Sequence, residues 1–107
     1  MPHYNLNDVR IVARNQNIQY RGRNVQRDIN NLGYQFADII ECILSLTEQD
    51  FHKTIQYSND EIDDAYRIEY LNPNDDSYDS LYIKFSLINN YLMIDVASFH
   101  LNRWVFG

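Results

Sequence analysis

The chain has 107 residues, 45% of them hydrophobic and 22% charged, and a formal net charge of −6. That length fits one domain able to bury roughly 60–70% of its unfolded surface, and the composition excludes a disordered chain. The single Cys42 excludes an internal disulfide, and the acidic balance is unfavourable for an enzyme acting on nucleic acid.

In chain order, the first half reads as helices and the second as strands. Asn5 or Asn7 caps a first helix carrying Leu6, Val9, Val12 and Ala13 on one side. Asn24 caps a second, with Val25, Ile29 and Leu32 at helical spacing and Gly33 as a left-handed stop. A third places Phe36, Ile39, Ile40, Ile43 and Leu44 on one stripe, with Cys42 as a buried structural thiol. After the polar break Thr47–Asp50 the period falls to two, and residues 51–57, 65–71, 81–88 and 91–99 read as strands. Asn72–Ser80 is a loop, since Pro73 and the Asx residues favour turns. The expectation is one α+β domain with a helical part over about 5–46, a mainly antiparallel sheet over about 51–100 and a short tail, 101–107.

Asn89-Asn90 predicts a two-residue hairpin, because Asn tolerates positive φ. Ile88 then faces Tyr91, Phe85 faces Ile94 and Ile83 faces Val96, an apolar face throughout, while Lys84 faces Asp95 and Tyr82 faces the small Ala97. One face of the sheet packs under the helices. The other gathers Tyr82, Lys84, Asp95, Arg67 and Asp63. Cleavage of RNA by its own 2′-hydroxyl needs a base, an acid and fixed positive charge at the phosphate, which Lys, Tyr and Arg supply; the same residues would also make an ordinary polar sheet face with a cross-strand ion pair. Lys53 is odd, for it shares the parity of Phe51, Ile55 and Tyr57. A lysine there either snorkels out or sits partly buried.

Charge is divided along the chain. Residues 1–37 carry five Arg against Asp8 and Asp28, a balance of +3, and residues 38–107 a balance of −9. Arg21, Arg23 and Arg27 are therefore the candidate contacts for an RNA backbone, or else solvate a helix surface. Met1–Arg10 has no secretory signal pattern and no segment approaches the ~18 uncharged apolar residues of a membrane span, so a cytoplasmic location is expected.

Leu32-Gly33-Tyr34, Ala37-Asp38-Ile39, Asp50-Phe51-His52-Lys53, Asp64-Ala65-Tyr66-Arg67 and Leu81-Tyr82-Ile83-Lys84-Phe85 resemble, in order and spacing, the MqsR family of type II toxin–antitoxin toxins. The resemblance implies a RelE-like fold and a metal-independent, sequence-selective mRNA endoribonuclease without a cofactor. It also implies silencing by an antitoxin, which would be zinc-binding with a helix-turn-helix domain. The catalytic lysine of the Phe-Tyr-Lys motif falls on Lys53, the catalytic tyrosine on Tyr82 and an arginine on Arg67. A functional glutamine is replaced by Asp63, which would repel phosphate unless paired with Arg67 or Lys53, or would act as a base instead. The terminal Ser-Phe-Lys falls on Ser98-Phe99-His100. His100 has core parity in the predicted hairpin, so it reaches Tyr82 only through a bulge. His52 and Lys84 are further candidates for catalysis or RNA binding, and His3 reads as exposed. Trp104, Val105 and Phe106 read as packing back over the core or as a contact with another subunit. The reading from a different class is a catalytically weak module on the same fold that acts by binding protein, suggested by the acidic second half and by Asp63.

Overall fold

The computed structural model describes residues 1–102. The expectation for Trp104–Phe106 lies outside the described residues. Helix α1 (Leu6–Arg14) starts at Asn5, whose side chain accepts from the Asn7 backbone N–H at 2.8 Å and satisfies one donor of the open first turn. Strand β1 (Ile18–Tyr20) follows, an element too short for periodicity to reveal. Helix α2 (Arg23–Leu32) starts behind Gly22 at φ 86° instead of at Asn24, and ends as expected on Gly33, left-handed at φ 79°. Helix α3 (Phe36–Ser45) is closed by a reciprocal Gln35–Asp38 cap and buries Ile39, Cys42 and Ile43, while Phe36 stays 41% exposed.

A 3-10 turn over Glu48–Asp50 leads into β2 (Phe51–Gln56), β3 (Ile62–Leu71), β4 (Tyr78–Ile88) and β5 (Met93–Leu101). The sheet order is β1-β5-β4-β3-β2, with β1 parallel to β5 and the other three pairings antiparallel. The α+β expectation holds, in a mixed five-stranded sheet consistent with a RelE-like fold. Tyr66, Leu81, Ile83, Phe85, Ile94, Val96 and Phe99 are fully buried on one face and join the apolar sides of all three helices in one core. Tyr66 and Phe85 stack with ring centres 5.5 Å apart.

The β4–β5 hairpin differs from the two-residue expectation. Ile88 pairs with Met93, so the loop spans Asn89–Leu92, with Asn89, Asn90 and Tyr91 all at positive φ. Sliding the register by two preserves the apolar face, so pairing rules alone could not separate the two solutions. Phe85 thus faces Val96 and Asp95 faces Ser86. Beyond that point β5 holds one extra residue, Ala97, opposite the Lys84–Phe85 step, so Lys84 faces Ser98 and Tyr82 faces His100. The expected Lys84–Asp95 and Tyr82–Ala97 pairs are not formed. A second bulge in β2 inserts His52 between Phe51, opposite Tyr66, and Lys53, opposite Ala65.

Because Phe85 is fully buried in the centre of the core, Phe85→Ala is expected to cost about 3–5 kcal/mol. Equilibrium urea unfolding measures this, and a loss below ~1 kcal/mol would contradict the packing described.

Candidate functional site

The face turned away from the helices is built in rows, because residues directly opposite in a ladder share a face. The two bulges decide its membership. After the extra residue His52, β2 runs in the phase that sets Lys53 across from Ala65, whose other neighbour is Lys84. Lys53 is exposed on this open face, and the parity conflict in the sequence disappears: Phe51 packs against Tyr66 in the core, whereas Lys53 belongs to the polar side. After Ala97, β5 likewise changes phase and turns His100 onto the open side, where its ring stacks on Tyr82 with centres 5.4 Å apart and planes 16° from parallel.

Three rows result. The first holds Arg67, Tyr82 and His100, extended by His52, whose Nε2 lies 2.8 Å from Arg67 Nη2. The next holds Lys53, Ala65, Lys84 and Ser98; its two lysines stand on strands separated by one, about 10 Å apart at ordinary strand spacing. The third holds Ile55, Asp63, Ser86, Asp95 and Gln19, and Arg21 lies across it. Of the residues singled out in the sequence, Lys53, Tyr82, Arg67, His52, Lys84 and His100 come together on this face. Arg23 and Arg27 do not. They are exposed on α2, which packs Val25 and Ile29 toward the helical side of the sheet.

Arg21 and Asp63 are bound to each other. Arg21 Nη1 and Nη2 donate to the two oxygens of Asp63, each at 2.9 Å, its Nε donates to Asp95 at 2.7 Å, and Nη2 also reaches Ser86 Oγ at 3.1 Å. The Tyr57 hydroxyl donates to Asp63 at 2.8 Å and the Gln19 amide to Asp95 at 3.0 Å. Asp63 is 1% exposed and both its oxygens are bound by Arg21, not by the expected Arg67 or Lys53, and Arg21, a candidate RNA-backbone contact in the sequence, is engaged with carboxylates instead. Ser86 and Gln19 carried no signal in the sequence, and Tyr57 only its strand parity. The available hint was two acids, Asp63 and Asp95, on one polar parity, though the cations expected for them were Arg67 or Lys53 and Lys84.

The protonation states follow from these contacts. Hydrogen bonding to Asp63 raises the Arg21 pKa and keeps it charged. Burial, then the bond to Asp63, pushes the Tyr57 phenol up to about 12. Burial also raises Tyr82, with Arg67 opposing, so Tyr82 holds its proton at neutral pH. Burial, Arg67 and Lys53 together lower His52. A guanidinium has no acceptor, so His52 Nε2 accepts from Arg67 and its proton sits on Nδ1. His100 is the same tautomer: its Nδ1 donates to the Leu101 carbonyl at 2.8 Å, leaving the lone pair of the neutral ring on Nε2. His3 is exposed, and Cys42 is buried with its thiol pKa raised by burial. Among the described residues no group of three His, Cys, Asp or Glu is placed to hold a metal ion, and no helix is long and apolar enough to cross a membrane.

Removing one partner of the buried pair leaves the other uncompensated. Asp63→Ala is expected to destabilise by about 3 kcal/mol, the low end for such pairs because Arg21 keeps some solvent access, and Asp63→Asn by less. Denaturant midpoints of the two variants check the order.

The sequence profile of a family described as the motility quorum-sensing regulator, toxin of MqsA, matches residues 1–101. No curated protein matches the chain.

Proposed function

The chain belongs to the MqsR toxin family, the toxin side of a toxin–antitoxin pair, and from that premise we propose that it is a metal-independent, sequence-selective endoribonuclease acting on mRNA. Family membership implies an antitoxin partner. The observation that carries the catalytic reading is the row Arg67–Tyr82–His100, with His52 behind Arg67 and the Lys53–Lys84 row beside it. Acid, base and fixed positive charge stand together on one solvent-facing surface, the set that 2′-hydroxyl attack requires.

His100 Nε2 takes the proton of the 2′-hydroxyl as its oxygen attacks the adjacent phosphorus. The P–O5′ bond breaks and Tyr82, protonated at neutral pH, gives its proton to the leaving 5′-oxygen. The products are a 2′,3′-cyclic phosphate and a 5′-hydroxyl end, and proton return from His100 to Tyr82 through water resets the site. Arg67 and Lys53 neutralise the charge that gathers on the phosphate, and Lys84 extends the cationic track along the strand. Asp63, enclosed by Arg21 and Tyr57, serves this site as an anchor and not as a base.

Induced expression with mapping of transcript ends tests the reading. Wild type is expected to arrest growth and leave 5′-hydroxyl ends, and cleavage is expected to survive EDTA. Tyr82→Phe should lose roughly 10²–10⁴-fold in rate while remaining folded, and Lys53→Ala should abolish the arrest. Fully active variants would remove the site assignment. A folded wild type that binds its antitoxin but cuts no RNA would favour the non-catalytic module.

His52 supplies a pH signature. Its lowered pKa keeps it neutral, and able to accept from Arg67, through neutral pH; below that pKa the imidazolium can no longer accept, and this one contact to Arg67 is lost. Cleavage is expected to fall on acidification. The fall should be shallower in His52→Gln, whose amide oxygen accepts at every pH, as a pH–rate profile would show.

A further inference from the structure

Arg21 belongs to the basic first third of the chain, and its charge alone would make it a phosphate contact. We propose instead that Arg21 is a positioning residue that opens this face to RNA by offsetting the charge of Asp63 and Asp95 and fixing Tyr57 beside Lys84. The inference rests on the RNA-cleaving reading above.

Three observations carry it. The guanidinium makes four hydrogen bonds within the cluster, three of them to carboxylate oxygens, so its donors point into the sheet surface and away from a ligand. Asp63 lies two residues along β3 from Ala65, about 7 Å from the row of Lys53 and Lys84. Two unbalanced and nearly buried carboxylates at that range would be poorly screened and would repel a phosphate backbone. The same Asp63 holds the Tyr57 hydroxyl, and the Tyr57 ring centre lies 6.0 Å from Lys84 Nζ, so the cluster also sets what the lysine rests against. The solvent side of Arg21 adds to this. It lines a cleft of about 340 Å³ whose other charged side chains are the acids Asp60, Glu61 and Asp95, with His3 on the same wall, a surrounding unfavourable to phosphate.

The test is rescue by neutralisation. Binding is measured on an oligoribonucleotide with every 2′-oxygen methylated, which cannot be cut, and kcat and KM on its unmodified counterpart. Arg21→Met is expected to raise both Kd and KM roughly tenfold with a smaller change in kcat. The triple variant Arg21→Met, Asp63→Asn, Asp95→Asn, which has lost the same cation, should return to within about threefold of wild type. An unrescued triple variant whose log Kd–log salt slope falls by about 0.7, one phosphate contact, would show direct contact and overturn the proposal. An Arg21→Met protein that binds like wild type overturns it as well. If Arg21→Met alone does not fold, the triple variant decides: binding within threefold of wild type supports the proposal, and a tenfold loss defeats it. Wild type that binds no RNA defeats both this proposal and the nuclease reading, whereas wild type that binds and cuts RNA with no rescue defeats this proposal alone.

Discussion

One guanidinium holds two carboxylates on the face of the sheet that the helices leave open, and the character of that face depends on it. The chain carries a net charge of −6, and Asp63 and Asp95 project toward the same surface as Lys53, Arg67 and Lys84. Left unbalanced, these acids would cancel much of the cationic field. Bound to Arg21 in a bidentate and a single contact, they become a partly neutralised floor with one residual negative charge. Gathering the charges into such a cluster is costly in desolvation, and the arrangement stands because nearly every polar atom in it is answered: Tyr57 on Asp63, Gln19 on Asp95, Ser86 on Arg21.

The short strand β1 makes this possible. It adds to the sheet beside β5, and the backbone N–H of Arg21 continues the pairing with a 2.7 Å bond to the Val96 carbonyl. Arg21 is thereby fixed at the sheet edge and extends across Asp95 and Ser86 to Asp63. One bulge lies at the far edge, in β2, and the other in β5 just past the residue that pairs with Arg21. Each adds one residue to a strand and so turns the following side chains over: His52 brings Lys53 out, and Ala97 brings His100 out. The core does not suffer, because Phe51 lies before one phase change and Phe99 falls into core phase after the other.

Much of the fold was legible because it follows from period and punctuation. The apolar stripe of α1, the left-handed stop at Gly33 and the alternation in β3 and β4 are local signals, and each had a local cause. What escaped depended on contacts between distant segments. Three residues of β1 are stabilised by β5, some 76 positions away, and no window around Ile18–Tyr20 records that. The site divides along the same line. Tyr82 and Arg67 lie within unbroken strand and were legible from parity, whereas Lys53 and His100 follow a bulge and kept the wrong parity until the register was known. Arg21 looked like a surface cation because its partners, 42 and 74 residues on, were invisible to it in sequence.

The consecutive pair Asp63-Asp64 shows how closely the two faces are matched. Successive side chains on a strand point to opposite sides, so two adjacent acids cannot share a partner. Asp63 turns to the open face and meets Arg21 and Tyr57. Asp64 turns inward, fully buried, and accepts from the backbone N–H groups of His3 and Tyr4 at 3.0 and 2.7 Å and from the Thr54 hydroxyl at 2.6 Å. One carboxylate is balanced by a cation and the other by neutral donors, the two ways a buried charge is tolerated. The first conditions the surface on which RNA would lie, and the second ties the start of the chain to β2 and β3, the strands that carry Lys53 and Arg67. Substituting an amide at position 63 therefore alters the electrostatics of the face, while the same change at 64 acts on how the first residues dock; the two acids are separable in effect although they are neighbours in sequence.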